Sequence, residues 1–108
     1  MTTMEMTYHV QYQRAERMKH IIEEIGIGQV VREKYMQAGT LGKYICITDT
    51  GITLIKNEDK TKLVTMYVTT QRELVMVFGG TKKIPSYLKK KVDHNQSKFV
   101  KNGKTIWR

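Results

Sequence analysis

The chain has one cysteine and one proline among its 108 residues, and only two serines. The single cysteine, Cys46, excludes an internal disulfide and any metal site built from several thiolates. Its neighbours Tyr44, Ile45 and Ile47 predict a buried thiol within a strand rather than a reactive nucleophile. Because both serines fall in one basic stretch, the sequence offers no basis for a Ser/His/Asp triad.

Metal-ligand spacings and phosphate-binding loops are also missing from the sequence. The three histidines lie far apart, with no carboxylate cluster between them: His9, His20 and His94. Gly26 and Gly28 follow a predicted helix instead of a strand, so they lack the context of a phosphate-cradling loop. We therefore expect neither a metal nor a cofactor.

Long apolar runs are absent as well. No stretch approaches the roughly 18 apolar residues that cross a bilayer. The first twelve residues have neither the basic n-region nor the apolar h-region of a secretory signal. We therefore expect a cytoplasmic protein without membrane contact. The composition, 40% hydrophobic and 27% charged, fits a single domain over residues 1–108.

Positive charge is present in excess, and it is concentrated at one end of the chain. Residues 81–108, the basic C-terminal segment, contain nine of the nineteen Lys and Arg residues and one acid, Asp93. Nine bases against one acid give this segment +8, and ten bases against nine acids leave +1 for residues 1–80. Lysines and arginines that displace condensed counterions bind polyphosphates whatever their sequence. The charge distribution therefore predicts an anionic partner.

Hydrophobic periodicity predicts helices at both ends of the chain and strands in the middle. Helices are predicted over 13–25 and 29–37, and residues 1–12 are expected to be loose or to form a short strand. Four strands are predicted over 43–47, 52–55, 63–68 and 73–78, joined by turns short enough for hairpins. Pro85 begins a basic helix that ends near Phe99 or Lys101, before a short tail.

This order predicts an α+β domain, with two N-terminal helices packed on a four-stranded antiparallel meander. The basic C-terminal helix and a short extended tail follow the sheet. Alternation along the strands predicts one sheet face with the side chains of Tyr44, Cys46, Thr53, Thr65 and Tyr67. Two interpretations stay open for this face, since it can hold a nucleic-acid strand or be covered by the C-terminal helix.

Metal-independent RNA cleavage is the one catalytic chemistry for which the sequence offers residues. Such cleavage needs a base for the 2′-hydroxyl, an acid for the leaving oxygen and cations near the phosphate. Arg17, His20 and Glu24 are three and four residues apart on the first helix. His20 is the candidate acid or base and Arg17 the candidate phosphate clamp. The alternative is a solvent-exposed flank in which Glu24 simply pairs with His20 or a nearby base.

The basic C-terminal helix is the strongest candidate for contact with nucleic acid. The candidate contacts are Lys82, Lys83, Lys89, Lys90, Lys91, Lys98 and Trp107. Trp107 can stack on a base, because aromatic rings among cations recognise unpaired nucleotides. The alternative is a charged helix that serves only solubility. His94, which lies among these lysines, is expected to be a surface residue.

Four short motifs carry a resemblance to a known family. Arg17-Met18 lies in the first predicted helix, and Ile25-Gly26-Ile27 leads into the second. Gly42–Gly51 has the sequence GKYICITDTG, and Leu63–Tyr67 has the sequence LVTMY. With the predicted element order, these motifs resemble the RelE-like branch of the barnase/EndoU/colicin/RelE superfamily over roughly residues 13–78. Many small members of that superfamily are toxins or proteins of phages and mobile elements.

The resemblance implies an active cleft beside Thr65 and Tyr67, the positions that match the family's strand motif. It also implies RNA contacts from Arg72, Lys82 and Lys83, with Tyr87 as an aromatic contact. Related short domains often have a histidine about four residues before the Arg-Met pair, and here that position is Gln13.

Two hypotheses of function follow from the sequence. The first is an RNA-binding protein of RelE-like type, with metal-independent endoribonuclease activity assigned to His20, Arg17, Thr65 and Tyr67. The second is a non-catalytic phage or mobile-element accessory protein whose basic end binds an acidic protein partner. A DNA-binding module is less favoured, because no helix-turn-helix pattern is visible.

Overall fold

The computed structural model describes residues 5–6, 15–101 and 104–105, with side chains described for residues 18–37 and 39–100. The strands are β1 (Glu5–Met6), β2 (Val30–Ala38), β3 (Leu41–Thr48), β4 (Ile52–Asn57), β5 (Lys62–Val68), β6 (Val100–Lys101) and β7 (Lys104–Thr105). The helices are α1 (Ala15–Ile25), α2 (Gln71–Phe78) and α3 (Ser86–Phe99), with a single 3₁₀ turn over Thr81–Lys83.

The α+β class and the four-stranded antiparallel sheet are confirmed. Strands β2, β3, β4 and β5 are antiparallel neighbours in that order. The short strand β1 adds a parallel edge to β5, and β6 pairs with β7 as a separate antiparallel ribbon. The helix count before the sheet is different from the prediction, because only α1 precedes it in the described chain.

The predicted second helix, over residues 29–37, is wrong because this segment is strand β2. It forms a hairpin with β3 through Gly39, which has a φ of +65°. Tyr35 lies opposite Tyr44, and the two rings meet edge to face with centroids 5.1 Å apart. Such cross-strand aromatic pairs stabilise a hairpin. The helical spacing of the apolar residues was misleading, since Val30 and Val31 are exposed.

The predicted fourth strand, over residues 73–78, is also wrong because this segment belongs to helix α2. Thr70 and Glu73 form a capping box, in which each side chain accepts from the backbone N–H of the other residue. Gly79 ends the helix in the left-handed conformation, with a φ of 83°. Leu74, Val77 and Phe78 form the buried stripe of this helix.

The sheet is covered by helices on both faces. On the α2/α3 face, Ile45, Ile47 and Ile55 pack in one cluster with α2 and with the first half of α3. On the α1 face, Ile52 and Met66 pack in a second cluster with α1 and the end of α3. The structure therefore has two hydrophobic clusters separated by the sheet.

The predicted sharing of one sheet face by five side chains is wrong. The register pairs Ile47 with Thr53, and Thr53 with Tyr67. Directly opposite residues point to the same side of a sheet, so Thr53 and Tyr67 lie on the α2/α3 face with Ile47. Tyr44 and Cys46 alternate with Ile47 and therefore lie on the α1 face.

Helix α3 confirms the basic helix predicted after Pro85, and it passes the ends of the strands from one cluster to the other. Leu88 and Val92 belong to the cluster on the α2/α3 face, whereas Phe99 belongs to the cluster on the α1 face. Between them, the Nδ2 of Asn95 donates to the carbonyl oxygen of Thr50 at 2.9 Å.

The end of α1 is held against the turn between β3 and β4. The hydroxyl of Thr50 lies 2.8 Å from the carbonyl oxygens of both Gly26 and Ile27. The backbone N–H of Gln29 donates to Oδ1 of Asp49 at 3.0 Å. Gly28 has a φ of +75°, and a Cβ there would lie 2.1 Å from the same Asp49 oxygen. Glycine is therefore required at this close approach.

The remaining predictions about the fold concern the two ends of the chain. Of the predicted loose or strand-forming N-terminal region, residues 5–6 form β1, and residues 1–4 and 7–12 lie outside the described residues. Of the predicted tail, Thr105 lies in β7, and residues 106–108 lie outside the described residues. None of the helices in the described ranges is long and apolar enough to span a bilayer.

Cys46 is fully buried in β3, as the sequence predicted. Burial raises the pKa of its thiol, because desolvation penalises the thiolate. We expect the thiol to react with a disulfide reagent at least about tenfold more slowly in the native protein than in denaturant, since the thiolate is the nucleophile. Absorbance of the released thiol product measures both rates, and the denatured sample is the control. Equal rates in both samples would contradict the buried position.

Candidate nucleic-acid interface

The outer face of α3 consists of Tyr87, Lys90, Lys91 and His94, all of which are exposed. Their spacing of three and four residues places them on one side of the helix. Leu88 and the other buried residues of α3 form a separate stripe that packs the helix against the rest of the fold. The fold therefore presents two lysines, a histidine and an exposed tyrosine together.

The only acid of the basic C-terminal segment is hydrogen-bonded to a side chain of α2. Oδ1 of Asp93 accepts from Nε2 of Gln71, on α2, at 2.6 Å. The same amide lies 3.3 Å from the carbonyl oxygen of Lys89, whose side chain is half-buried. Asp93 and Lys89 thus lie on the flank of α3 that meets α2. Asp93 is three residues from Lys90 and four from Lys89, so it is a helical neighbour of both, whereas Lys91 has no acid at such a spacing within α3.

Lys98, another predicted contact, forms an ion pair with Glu24 of α1. Its ammonium group also lies 5.4 Å from the centroid of the Phe99 ring. The positive charge of Lys98 is therefore partly neutralised, and its side chain links α3 to α1. An anionic ligand gains less from this lysine than from an unpaired one.

Three more predicted contacts lie before α3. Lys82 and Lys83 are exposed in the 3₁₀ turn, and Arg72 is exposed in the first turn of α2. A Cβ on Gly79 would lie 3.8 Å from Nζ of Lys83, so this ammonium lies at the C-terminal end of α2. A cation there is favoured by the helix dipole. Lys83 therefore lies against the end of α2, in addition to its predicted role in binding nucleic acid. Trp107, another predicted contact, lies outside the described residues.

The four predicted catalytic residues are not brought together by the described structure. His20 is exposed on α1, which covers one face of the sheet. Thr65 and Tyr67 point to the other face, where Tyr67 packs against the cluster beneath α2 and α3. Arg17 lies in α1, but its side chain is outside the described part of the chain. The assignment of catalysis to these residues stays a prediction.

Thr65 and Tyr67, the two candidate catalytic residues in the strands, have surroundings typical of structural residues. The hydroxyl of Tyr67 donates to Oε2 of Glu73, and Oε1 of the same carboxylate accepts from the hydroxyl of Thr53 at 3.3 Å. The hydroxyl of Thr65 is buried and has no hydrogen-bond partner among the described residues. Tyr67 therefore connects the sheet to the start of α2 through Glu73.

A second polar surface lies on the α1 face of the sheet, and its acidic and basic side chains occur in similar numbers. Lys60 pairs with Glu33, and its ammonium also lies 4.3 Å from the centroid of the Tyr44 ring. The hydrogen bond from Lys60 holds the pKa of Glu33 below its usual value. The hydroxyl of Tyr35 donates to Oε1 of Glu58 at 2.8 Å. This balance makes the surface a poorer match for a polyanion than the outer face of α3.

A cavity of about 230 Å³ lies beside the outer face of α3. It is formed where α3 passes the end of α1 and the turn between β3 and β4. Its lining residues are Ile25, Thr50, Lys90, Lys91, His94 and Asn95. The basic lysines therefore border a concave site as well as an exposed surface.

The sequence analysis identified the lysines of this cavity but missed three other lining residues, Ile25, Thr50 and Asn95. One signal for Asn95 was available. It lies three residues after Val92 and four before Phe99, on the buried stripe of α3. A polar residue in such a stripe needs a hydrogen-bond partner, and the partner is Thr50.

Comparisons with known proteins identify no relative of this chain: no family model, no curated protein and no solved structure matches it.

Proposed function

We propose that this protein binds single-stranded RNA through the outer face of α3, with Lys82 in the preceding 3₁₀ turn as an additional contact. The observation that carries the proposal is the excess of positive charge in the basic C-terminal segment, which places exposed lysines on the outer face of α3. Lys90 and Lys91 are exposed together, and the carboxylate of Asp93, three residues after Lys90, accepts from Gln71 of α2. Exposed lysines gain affinity for phosphate because they release condensed counterions.

Tyr87 favours an unpaired strand over a duplex. Its side chain is 47% exposed beside the lysines, and an exposed ring among cations can stack on a base only where that base is unpaired. An acidic protein partner remains the second hypothesis, and the binding experiment distinguishes the two.

The proposal concerns binding, and it does not depend on cleavage. His20 is exposed on α1, whereas Thr65 and Tyr67 face the α2/α3 side of the sheet. The RelE-like relationship also stays a proposal, since the described chain has one helix before the sheet instead of two.

A salt titration with a labelled single-stranded RNA tests the proposal. If Lys82, Lys90 and Lys91 each contact a phosphate, the logarithm of the binding constant should fall with the logarithm of the salt concentration with a slope of about −2, at about −0.7 for each contact. Fluorescence anisotropy gives the binding constants. No binding at low salt would overturn the proposal and favour the acidic protein partner.

A matched pair of charge-reversal variants locates the interface. The double variant Lys90→Glu, Lys91→Glu should bind RNA about tenfold more weakly at low salt, with a slope closer to zero by about 1.4. The control is Lys19→Glu, Lys62→Glu, which makes the same change of net charge at two exposed residues outside α3. Equal losses in the two double variants would show that net charge, not this surface, determines binding.

The same samples, run on a denaturing gel, test the catalytic hypothesis separately. We expect the RNA to stay intact. Shortened RNA that disappears with His20→Ala would instead support the nuclease assignment.

A further inference from the structure

The cavity beside α3 has the composition of a small ligand site. Ile25 provides an apolar wall, and the lysine side chains add their aliphatic stems. Thr50 and Asn95 add polar groups at fixed positions. Ligand sites typically combine mostly apolar walls with a few well-placed polar atoms. The question is therefore which part of a bound strand fits there.

Asn95 is held in one orientation. Its side chain is 3% exposed, and its Nδ2 donates to the backbone oxygen of Thr50 at 2.9 Å. This contact fixes which end of the amide is the carbonyl oxygen, because an oxygen could not donate to Thr50. A Cβ on Gly51 would lie 2.6 Å from the same Nδ2, so glycine is needed beneath it. Because Nδ2 is the donor to Thr50, Oδ1 is the acceptor atom of this side chain, and Asn95 lines the cavity.

The lining of the cavity, rather than its size, suits a planar ring better than a phosphate group. Its volume of about 230 Å³ has room for several water-sized groups. An apolar wall at Ile25 suits the face of a base and offers nothing to a phosphate.

Basic side chains border the cavity. Lys90 and Lys91 both line the cavity and belong to the outer face of α3. His94 lies one turn further along the same face. A nucleotide with its base inside would therefore keep its phosphates next to ammonium groups.

We infer that this cavity receives one unpaired base of the bound RNA strand, while Lys90 and Lys91 contact the adjoining phosphates. The inference rests on the proposed function, because it assigns a place to part of the same ligand. The acceptor Oδ1 of Asn95 then selects bases that present an N–H group to it. The cavity recognises the base itself, whereas the rest of the outer face recognises only the charge of the phosphates.

The test compares an RNA oligomer with an abasic oligomer of the same length and charge at one salt concentration. The protein should bind the base-containing strand about tenfold more tightly, which is within the range of a single well-seated base. Ile25→Trp fills the cavity without changing charge, so it should remove most of this difference and leave the affinity for the abasic strand unchanged. The control is Val75→Trp, an exposed apolar residue on α2, which should keep the difference.

Three outcomes separate this inference from the proposed function. Preferential binding of the base-containing strand, lost in Ile25→Trp, supports both. Equal binding of the two strands overturns the base site and leaves RNA binding by charge intact. No binding of either strand overturns both.

A second measurement uses the native protein and does not depend on the folding of a variant. The δ1 methyl signal of Ile25 in an NMR spectrum should shift when the base-containing strand is added, because an aromatic base would lie against it. The abasic strand should leave that signal in place. A methyl signal that responds equally to both strands would overturn the inference.

Discussion

Glu73→Ala is expected to lower the free energy of unfolding by about 2 to 3 kcal/mol. The carboxylate accepts from the backbone N–H of Thr70, which closes the capping box of α2, and from the hydroxyls of Tyr67 and Thr53. Loss of a cap costs about 1 kcal/mol, and hydrogen bonds to a charged group contribute about 1.5 to 3 kcal/mol. Urea unfolding, followed by circular dichroism, measures the change.

Two conservative variants divide this effect into its parts. Glu73→Gln keeps a side chain that can close a capping box, so it should cost about 1 kcal/mol. Tyr67→Phe removes only the hydroxyl donor to this carboxylate and should cost about 1.5 kcal/mol. An unchanged unfolding curve for Glu73→Ala would show that these contacts contribute nothing. Loss of an RNA-cleaving activity in Tyr67→Phe, without loss of stability, would support the predicted catalytic role of Tyr67.

Leu88→Ala should destabilise the protein by about 3 kcal/mol or more, within the range of about 2 to 5 kcal/mol for buried leucines. Leu88 is fully buried and packs between α3 and the α2/α3 face of the sheet. The truncation removes apolar contacts and leaves a cavity that close-packed neighbours fill only in part. For a domain of this size, such a loss is a large fraction of the total stability.

The matched control for this core variant is the neighbouring residue. Tyr87→Ala removes an even larger side chain, but one that is 47% exposed, so the free energy of unfolding should change by about 0.5 kcal/mol or less. Calorimetry or urea unfolding of both variants gives the comparison. RNA affinity should show the reverse order, because Tyr87 belongs to the outer face and Leu88 does not. Similar stabilities for the two variants would contradict the packing of α3 described above.

The sequence predicted α1, three of the strands and α3 because their patterns were unambiguous. The prediction failed for α2, because a local signal for the start of this helix was overlooked. Thr70 and Glu73 are three residues apart before an apolar run, which is the pattern of a capping box. The apolar residues after them suited a strand equally well, since short apolar runs do not distinguish the two structures.

The wrong prediction for strand β2 has a different cause. Its local conformational preference is weak, and tertiary pairing determines its structure. Its central residues Arg32, Glu33 and Lys34 are tolerant of either conformation, and pairing with β3 along the whole strand determines the outcome. The cavity could not be predicted for a related reason. Ile25, Thr50 and Asn95 are far apart in the sequence, and only the packing of α3 past the strand ends brings them together.

The path of α3 has a thermodynamic consequence. Leu88 belongs to the cluster on one face of the sheet and Phe99 to the cluster on the other, so the helix cannot detach without disturbing both. A ligand that binds only the native helix adds its binding free energy to folding, about 2.7 kcal/mol at one hundred times the dissociation constant. Occupancy of the outer face of α3 would therefore stabilise both hydrophobic clusters at once, including the cluster that the helix reaches only at Phe99.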